Sequence, residues 1–578
     1  MIFYITNFPQ FLKNHKVPFV TNLYEKEENR YGKVFFYIDG YFIPRMDFFD
    51  IYKNVNQYDL LNILYKKYGE KFISYIKGVF NIIIIDKSKF YIYNDIHSIK
   101  RVFTYTDGAN FFISNELKEI RKHFSLSPDY ENAAIFCLLN HFFHWHTLFE
   151  KITCSIPASK IAYSDRHLKT SVYWKPNELF LGEKESDKKE SDFSIFWEKL
   201  VNSYVIYIKP KQISITLTGG NDSRLVLAPL LNKNYTLHAF SFGNPQSADG
   251  VVAKQIAHAS KITYSNYFVK NASKEWLSDQ AEKLNEIGNT LINLHRAHRN
   301  DALAKEIMSY PATDMIFTGL MGGEYLKEPS YDNIILPDLF YSLVKNRNKR
   351  KSILILKEQL IHLGIKVDLI DLTKVYGKIM LFLNDNYSSD TKKRKFILTY
   401  SFYGCAHHSQ DSAIFNYHGN HVVNPFMDID FLERLNTSVS FYVSKKRKPF
   451  NRLFHSILYV KTTNDLAPEL SNIPYAKKGQ YTANDMLHKP IINLFKRLKY
   501  LIMRDKQKFP SNFPMGNWLY CFSKEQLDSL HPDIKKIFKK DFLMDKLDTI
   551  KMETTEEKWH VVTNPINLSL YLKRDEKN

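Results

Sequence analysis

Apolar and aromatic positions fall into three regimes along this chain. Between residues 30 and 175 they come in short runs separated by turns: Val34–Ile38, Val79–Ile85, Phe90–Tyr93, Phe111–Ser114 and Lys160–Ser164. Runs rich in Ile, Val, Phe and Tyr at this length predict strands, because branched and aromatic side chains pack well on a pleated surface. One stretch, Asp59–Lys67, carries helical spacing instead. The pattern breaks over residues 182–192, Gly-Glu-Lys-Glu-Ser-Asp-Lys-Lys-Glu-Ser-Asp. That stretch has no apolar period and reads as an exposed linker or helix lead-in. Strand-like and helix-like segments then alternate: Ile213–Leu217, Leu225–Leu231, Thr236–Phe242, Val251–Ser260 and Tyr264–Val269. This repetition predicts a doubly wound parallel sheet. Beyond about residue 335 the pattern is mostly helical. The chain therefore divides into a β-rich domain over 1–180 and a second domain over 193–578, parallel-sheet α/β followed by a helical carboxyl-terminal part. A length of 578 residues agrees, since it exceeds what one ordinary core fills.

The rest of the composition narrows the class. No apolar run approaches the ~20 residues of a membrane span, and Ile82–Ile85 is too short for anything but a buried strand. The start, Met1-Ile-Phe-Tyr-Ile-Thr6, lacks a basic segment, an apolar segment and a small-residue cleavage site, so no secretory signal is expected. Cys137, Cys154, Cys405 and Cys521 are far apart. They form no Cys-x-x-Cys pair, which argues against a zinc ribbon or a disulfide framework and fits a reducing cytoplasm. A net charge of +19 is compatible with nucleic acid, acidic peptides or anionic glycans as partners. The positive charge is spread along the chain, however, so simple lysine bias is the plainer reading and nucleic acid is not the favoured partner.

The most informative chemistry is Thr218-Gly219-Gly220-Asn221-Asp222-Ser223, between the run ending at Leu217 and an apolar helix-like segment. Two glycines at a strand-to-helix turn let the backbone curl around an anion. Amides and the positive helix end then point at it. Thr218 and Ser223 add hydroxyls. Asp222 would repel a phosphate unless a divalent cation sat between them. The segment is no Walker loop, which ends Gly-Lys-Ser/Thr. The bland alternative is a glycine turn in a generic α/β unit.

The loop resembles the Ser-Gly-Gly-x-Asp-Ser pyrophosphate loop of ATP pyrophosphatases, with Thr218 for the first Ser. Later blocks are similar, in order, to those of the asparagine synthetase-like family. His238–Asp249 resembles its strand-Gly-x-Pro-x-Ser-x-Asp segment. Ile316–Glu324 resembles its Ser-Gly-x-Gly-x-Asp-Glu loop. Gly419–Asp428 resembles its Val-x-x-Pro-Phe-Leu-Asp block, and Tyr475–Gln480 its Arg-x-Lys-x-Gly-Phe segment. In the amino-terminal half, Gly78–Asp86, Tyr93–Val102 and Phe112–Glu119 are similar to the class II glutamine amidotransferase domain. Each block is loose; the ordered set covers nearly the whole chain.

The resemblance implies an Ntn-hydrolase-like αββα domain followed by an adenine nucleotide α-hydrolase-like domain that uses ATP and Mg²⁺. It implies that Asp222 and Asp249 hold the metal. Leu217, Thr218, Gly219, Gly220 and Ser223 would surround pyrophosphate, with Phe242, Thr318 and Gly319 at the nucleotide. Lys477 falls on the family's catalytic lysine. Two departures stand out. The glutaminase needs an amino-terminal cysteine, whereas this sequence begins Met1-Ile2 and its first cysteine is Cys137. The first domain then reads as a silent relic, as in β-lactam and lasso-peptide macrolactam synthetases, which use an amine of their own substrate. In the closing loop, Gly323 replaces a metal-binding Asp, and Leu320 replaces a Glu or Tyr. Glu324 is left either to serve metal or amine chemistry or simply to sit at a helix start.

The expected activity is ATP-dependent carbon–nitrogen ligation: a carboxylate, in a peptide or a sugar acid, is adenylated and passed to an amine. Ammonia-dependent amidation of a sugar acid, a tRNA-modifying pyrophosphate-loop enzyme and a non-catalytic scaffold are the rivals. Oligomeric state stays open, a homodimer included. Lys445–Lys448 reads as solvated surface. His141-Phe-Phe-His144-Trp-His146 is a poor metal motif for want of an acidic or Cys partner nearby, and His407-His408 read as ordinary because adjacent side chains diverge.

Overall fold

The computed structural model describes residues 2–12, 19–23, 30–31, 33–143, 145–180, 192–231, 233–287, 292–326, 348–385, 396–419, 421–438, 457–476, 482–488, 513, 515–551 and 556–573. The first part of the chain supplies strands β1 (Tyr4–Thr6), β2 (Val20–Thr21), β3 (Arg30–Tyr31), β4 (Val34–Pro44), β5 (Ile76–Asp86), β6 (Lys89–Asn94), β7 (Phe103–Asp107), β8 (Asn110–Ser114), β9 (Ile152–Cys154), β10 (Ser159–Ser164) and β11 (His167–Val172). They form two antiparallel sheets, ordered β2-β1-β8-β7-β9 and β11-β10-β6-β5-β4-β3.

Strand periodicity explains the layering. Alternate residues of a strand face opposite sides. On β5, Ile83 points between the sheets, toward Phe3, Ile5, Phe111 and Ile113 of the other sheet. Phe80, Ile82 and Ile84 point the other way, onto Leu60, Leu61 and Leu64 of the helix Gln57–Tyr68. The outer face of the sheet that holds β7 and β8, with Phe103, Tyr105 and Phe112, packs on the helix Tyr130–Leu139. The result is helix, sheet, sheet, helix. The predicted strands and the predicted helix at 59–67 all form, with small changes of boundary.

The second part carries β12 (Gln212–Thr216), β13 (Leu237–Ser241), β14 (Thr263–Asn266), β15 (Thr313–Phe317) and β16 (His421–Val423). All neighbours are parallel, in the order β14-β13-β12-β15-β16. The direction of winding reverses between β12 and β15, and in such sheets a crevice opens at that point, beyond the carboxyl ends of the strands. The expected strand at 264–269 ends at Asn266, where the chain turns away from the sheet. Beyond residue 348 the described residues are helical apart from β16 and short connections.

Buried charge joins the two parts. Lys77, on β5, bridges Asp428 at 2.8 Å and Asp430 at 2.9 Å, with its side chain only 2% exposed. Arg45 pairs with Asp430 at 2.8 Å and with Glu433. The Tyr204 hydroxyl donates to Asp428 at 2.7 Å, and the Tyr41 hydroxyl donates to the Val422 carbonyl at 2.6 Å. Burial raises both carboxyls. It prevails at Asp428, whereas Lys77 and Arg45 together pull Asp430 down to about 2. Among the described residues no helix is long and apolar enough to cross a membrane.

A candidate nucleotide cleft at the switch point

The loop after β12 is held by its own hydroxyls. The Thr218 amide donates to Ser223 Oγ at 3.2 Å, Ser223 Oγ donates to the Thr218 carbonyl at 3.1 Å, and the Gly220 amide donates to Thr218 Oγ1 at 3.3 Å. The helix Asn221–Leu231 begins immediately, with Asp222 in its first turn. The next strand does the same. After β13, Ser247 caps the helix Ala248–Ala259 by accepting from the Gly250 amide at 3.1 Å, and Asp249 lies in the first turn. Two helix starts, each bearing one carboxylate, thus follow adjacent parallel strands.

Gly219 is required by packing rather than by an unusual backbone angle. A Cβ there would lie 2.5 Å from Ala476 Cβ and 3.3 Å from Asp249 Cα. Its carbonyl accepts from the Ala476 amide at 3.2 Å. Arg224, one turn into the helix, donates to the carbonyls of Ile473 at 2.9 Å and Pro474 at 2.6 Å, and lies 4.2 Å from the centre of the Tyr475 ring. The segment that leads into Lys477 is therefore bound to the loop, while Lys477 itself lies outside the described residues, as does the basic run 445–448.

The loop after β15 closes the third side. A Cβ on Gly322 would fall 2.9 Å from Asp222 Cβ and Cγ, so this glycine lets the two loops touch. Met321 beside it has φ 68°, a left-handed value uncommon for a side chain of that size. Thr318 Oγ1 is buried and has no hydrogen-bond partner among the described residues.

Between these loops lies a cleft of about 300 Å³. Leu217, Thr218, Asp222, Ser223, Phe242, Asp249, Thr318 and Gly319 line it, so the structure brings together eight of the residues singled out from sequence. Gly219, Gly220 and Glu324 are not on its wall. Glu324 sits half-buried in the short helix Gly322–Leu326. The far wall holds Arg299, His408, Asp411, Phe415 and Phe513, none of them foreseen. Arg299 and Asp411 are 112 residues apart and form an ion pair, a meeting that no local pattern announces. Phe513 lies nearly parallel to Phe242, with ring centres 6.5 Å apart. His408, read from sequence as ordinary, contributes through its 3.5 Å approach to Asp411.

The donor set fits magnesium and a nucleotide. Mg²⁺ is commonly bound by one or two carboxylates plus substrate phosphates, which is what Asp222 and Asp249 offer. Among the described residues there is no group of three or more His, Cys, Asp or Glu that would make an all-protein metal cage. The unsatisfied Thr318 hydroxyl and the two helix starts supply donors for an anion.

In the first part, the polar groups around Asp39 close on one another. Asp39 accepts from Asn81 at 3.1 Å and from Asn115 at 3.1 Å, and pairs with Lys100 at 3.0 Å. Cys137 and Cys154 are buried, and burial pushes both thiols up, away from the reactive thiolate.

No protein-family model matches the chain, and no curated protein matches it. Among solved structures, it is similar to glutamine phosphoribosylpyrophosphate amidotransferase from B. subtilis complexed with ADP and GMP. The identity is 10% and the TM-score 0.17, over 44% of this chain and 52% of that one. The chain thus spans about half the length of that protein, a likeness too slight to carry a functional argument.

Proposed function

We propose that the protein is an ATP-dependent carbon–nitrogen ligase of the asparagine synthetase-like type, with an Ntn-like first domain that has no glutaminase role. The observation that carries this reading is the convergence of Asp222 and Asp249 on one cleft with the Thr218–Ser223 loop, at the switch point of a parallel sheet. Magnesium, when bound by these two carboxylates, would neutralise the β and γ phosphates. The loop amides and Ser223 hold pyrophosphate, and Thr318 and Gly319 line the nucleotide beside Phe242.

A substrate carboxylate oxygen bonds to the α-phosphorus as the bond to the β-phosphate oxygen breaks, and pyrophosphate leaves. An amine nitrogen then bonds to the acyl carbon, AMP leaves with the former carboxylate oxygen, and the amine gives up a proton. Lys477 stabilises the oxyanion of this second step, in keeping with the loop's grip on the residues just before it. Glu324, off the cleft wall, is the weaker candidate for taking the proton. The first domain acts as a support, joined to the second through Lys77 and Arg45.

The test is ATP–pyrophosphate exchange by the full chain against a broad set of carboxylic acids. Exchange that depends on one acid and disappears in Asp222→Ala supports the ligase. Silence throughout, with no heat of Mg·ATP binding, would leave a scaffold as the better description.

A further inference from the structure

A second recess, of about 330 Å³, opens where the first part of the chain meets the helical part, and it shares no lining residue with the nucleotide cleft. Its walls are rich in rings. Trp145, Trp174 and Tyr400 face it, and Pro157, Pro176 and Leu381 close its sides. Tyr400 is buried, whereas both indoles are partly exposed and Leu381 keeps 52% exposure. A lone exposed leucine needs no explanation. One grouped with two partly exposed indoles around a hollow marks an apolar binding surface.

Local bonds give the hollow its shape. The Tyr400 hydroxyl donates to the Ile96 carbonyl, and its ring meets that of Trp174 edge-on, with centres 5.5 Å apart. The Cys154 amide donates to the Trp145 carbonyl at 3.1 Å. The Ala158 amide donates to the Asp95 carbonyl at 3.0 Å, and the Tyr173 amide donates to the Ala158 carbonyl at 2.8 Å. These two bonds fix the backbone beside Pro157 and Trp174. Tyr400 itself lies in the segment Thr399–His407, which winds in π-type turns. Such turns are rare and recur at functional sites.

Charge narrows the occupant. Lys175 is the one charged residue of the lining, and no carboxylate faces the recess. The lysine is exposed and forms no ion pair among the described residues. Size narrows it further. An apolar cavity of about 150 Å³ accepts a single benzene ring, so a space about twice as large takes a fused pair. A sugar would also stack on tryptophan, but its hydroxyls would meet hydrocarbon on most sides, at a cost in lost hydrogen bonds. We propose that the recess binds a flat two-ring aromatic carboxylate, of indole or naphthalene size, with its rings against Trp145, Trp174 and Tyr400 and its carboxylate at Lys175. No metal or nucleotide enters this inference, so it stands apart from the ligase reading.

The experiment is calorimetric titration of the full-length protein with 2-naphthoate, its neutral counterpart 2-naphthamide, and an octaproline peptide. Saturable, one-to-one binding of 2-naphthoate is expected, about threefold tighter than 2-naphthamide, a modest margin because the lysine is solvated. Trp174→Ala should weaken 2-naphthoate about tenfold or more. Lys175→Met should bring 2-naphthoate to the level of the amide and leave the amide unchanged. If Trp174→Ala does not fold, Leu381→Glu carries the test, since position 381 is exposed and a carboxylate there should repel 2-naphthoate while sparing the amide. Four results would each overturn the proposal: no saturation below about 1 mM, equal affinity for the acid and the amide, an affinity that both Trp174→Ala and Leu381→Glu leave untouched, or competition by Mg·ATP, which would put the ligand in the nucleotide cleft. Binding of octaproline in place of 2-naphthoate would overturn it in favour of a peptide groove.

Discussion

The two halves of this molecule treat polar residues in opposite ways. In the antiparallel half, Asp39, Asn81, Lys100 and Asn115 close on one another, and Cys137 and Cys154 are buried. In the parallel half, strands end together at one edge, and the loops after β12, β13 and β15 aim their side chains into shared space. The same kinds of residue serve internal cohesion in one half and face a cleft in the other. What decides between them is geometry: an edge where several strand ends meet turns the side chains of its loops toward a common crevice.

The sharpest way to break the contrast is a pair of substitutions of like chemistry. Asp222→Ala is expected to lower pyrophosphate exchange by on the order of a thousandfold or more, through loss of metal and phosphate positioning. Asp39→Asn should leave exchange intact and lower stability by about 1 kcal/mol, because Lys100 loses its charged partner at a partly exposed site. Equal kinetic losses from the two would erase the distinction between the halves.

Next in size is the junction. Lys77→Met leaves Asp428 and Asp430 buried together with one cation fewer, a change expected to destabilise by about 3–5 kcal/mol. Thermal unfolding would show it as a melting temperature lower by several degrees. An unchanged melting curve would mean that the charges contribute no cohesion between the halves.

Lys477→Ala should slow the complete ligation by about a hundredfold. Partial exchange should survive, since the lysine is assigned to the second step. Loss of exchange to the same degree would move it to the first.

The smallest effect per group comes from acid. Burial lowers His97 to about 3 and His141 and His146 to about 4. A histidine depressed in the folded state contributes stability that is present above its unfolded value, near 6.5, and is lost as pH falls toward 4. Burial raises Asp95 to about 6, which works the other way and favours the folded state on acidification. His418 is lowered to about 4 as well, and the four depressed histidines are expected to outweigh the raised carboxyls of Asp95, Asp428 and Glu433, so denaturant midpoints should drop between about pH 6.5 and pH 4. A midpoint that rises over this window would contradict the burial of these rings.

Local features were legible in the sequence and distant meetings were not. The Ile-rich β5 and the run ending at Leu217 announced themselves, because alternation and composition act within a few residues. Asp222 and Asp249 were found because each belongs to a compact strand–turn–helix unit. Arg299 and Asp411 escaped notice and His408 read as ordinary, since their significance arises only when the helices at 297–309 and 408–418 come together. The pairing of Lys77 with Asp428 spans 351 positions and has no local signature either. Gly219 was singled out as a phosphate-loop glycine, but its closest constraint is the approach of Ala476, a fact about packing that no motif contains.

The Lys77 and Arg45 contacts also bear on how this protein can be handled. A gene severed between residues 181 and 191 would yield a carboxyl-terminal fragment carrying three acids whose counterions were left on the other piece. Such a fragment should aggregate when made alone and be rescued when both pieces are produced in one cell. The amino-terminal part would then be indispensable as the companion that makes its neighbour soluble.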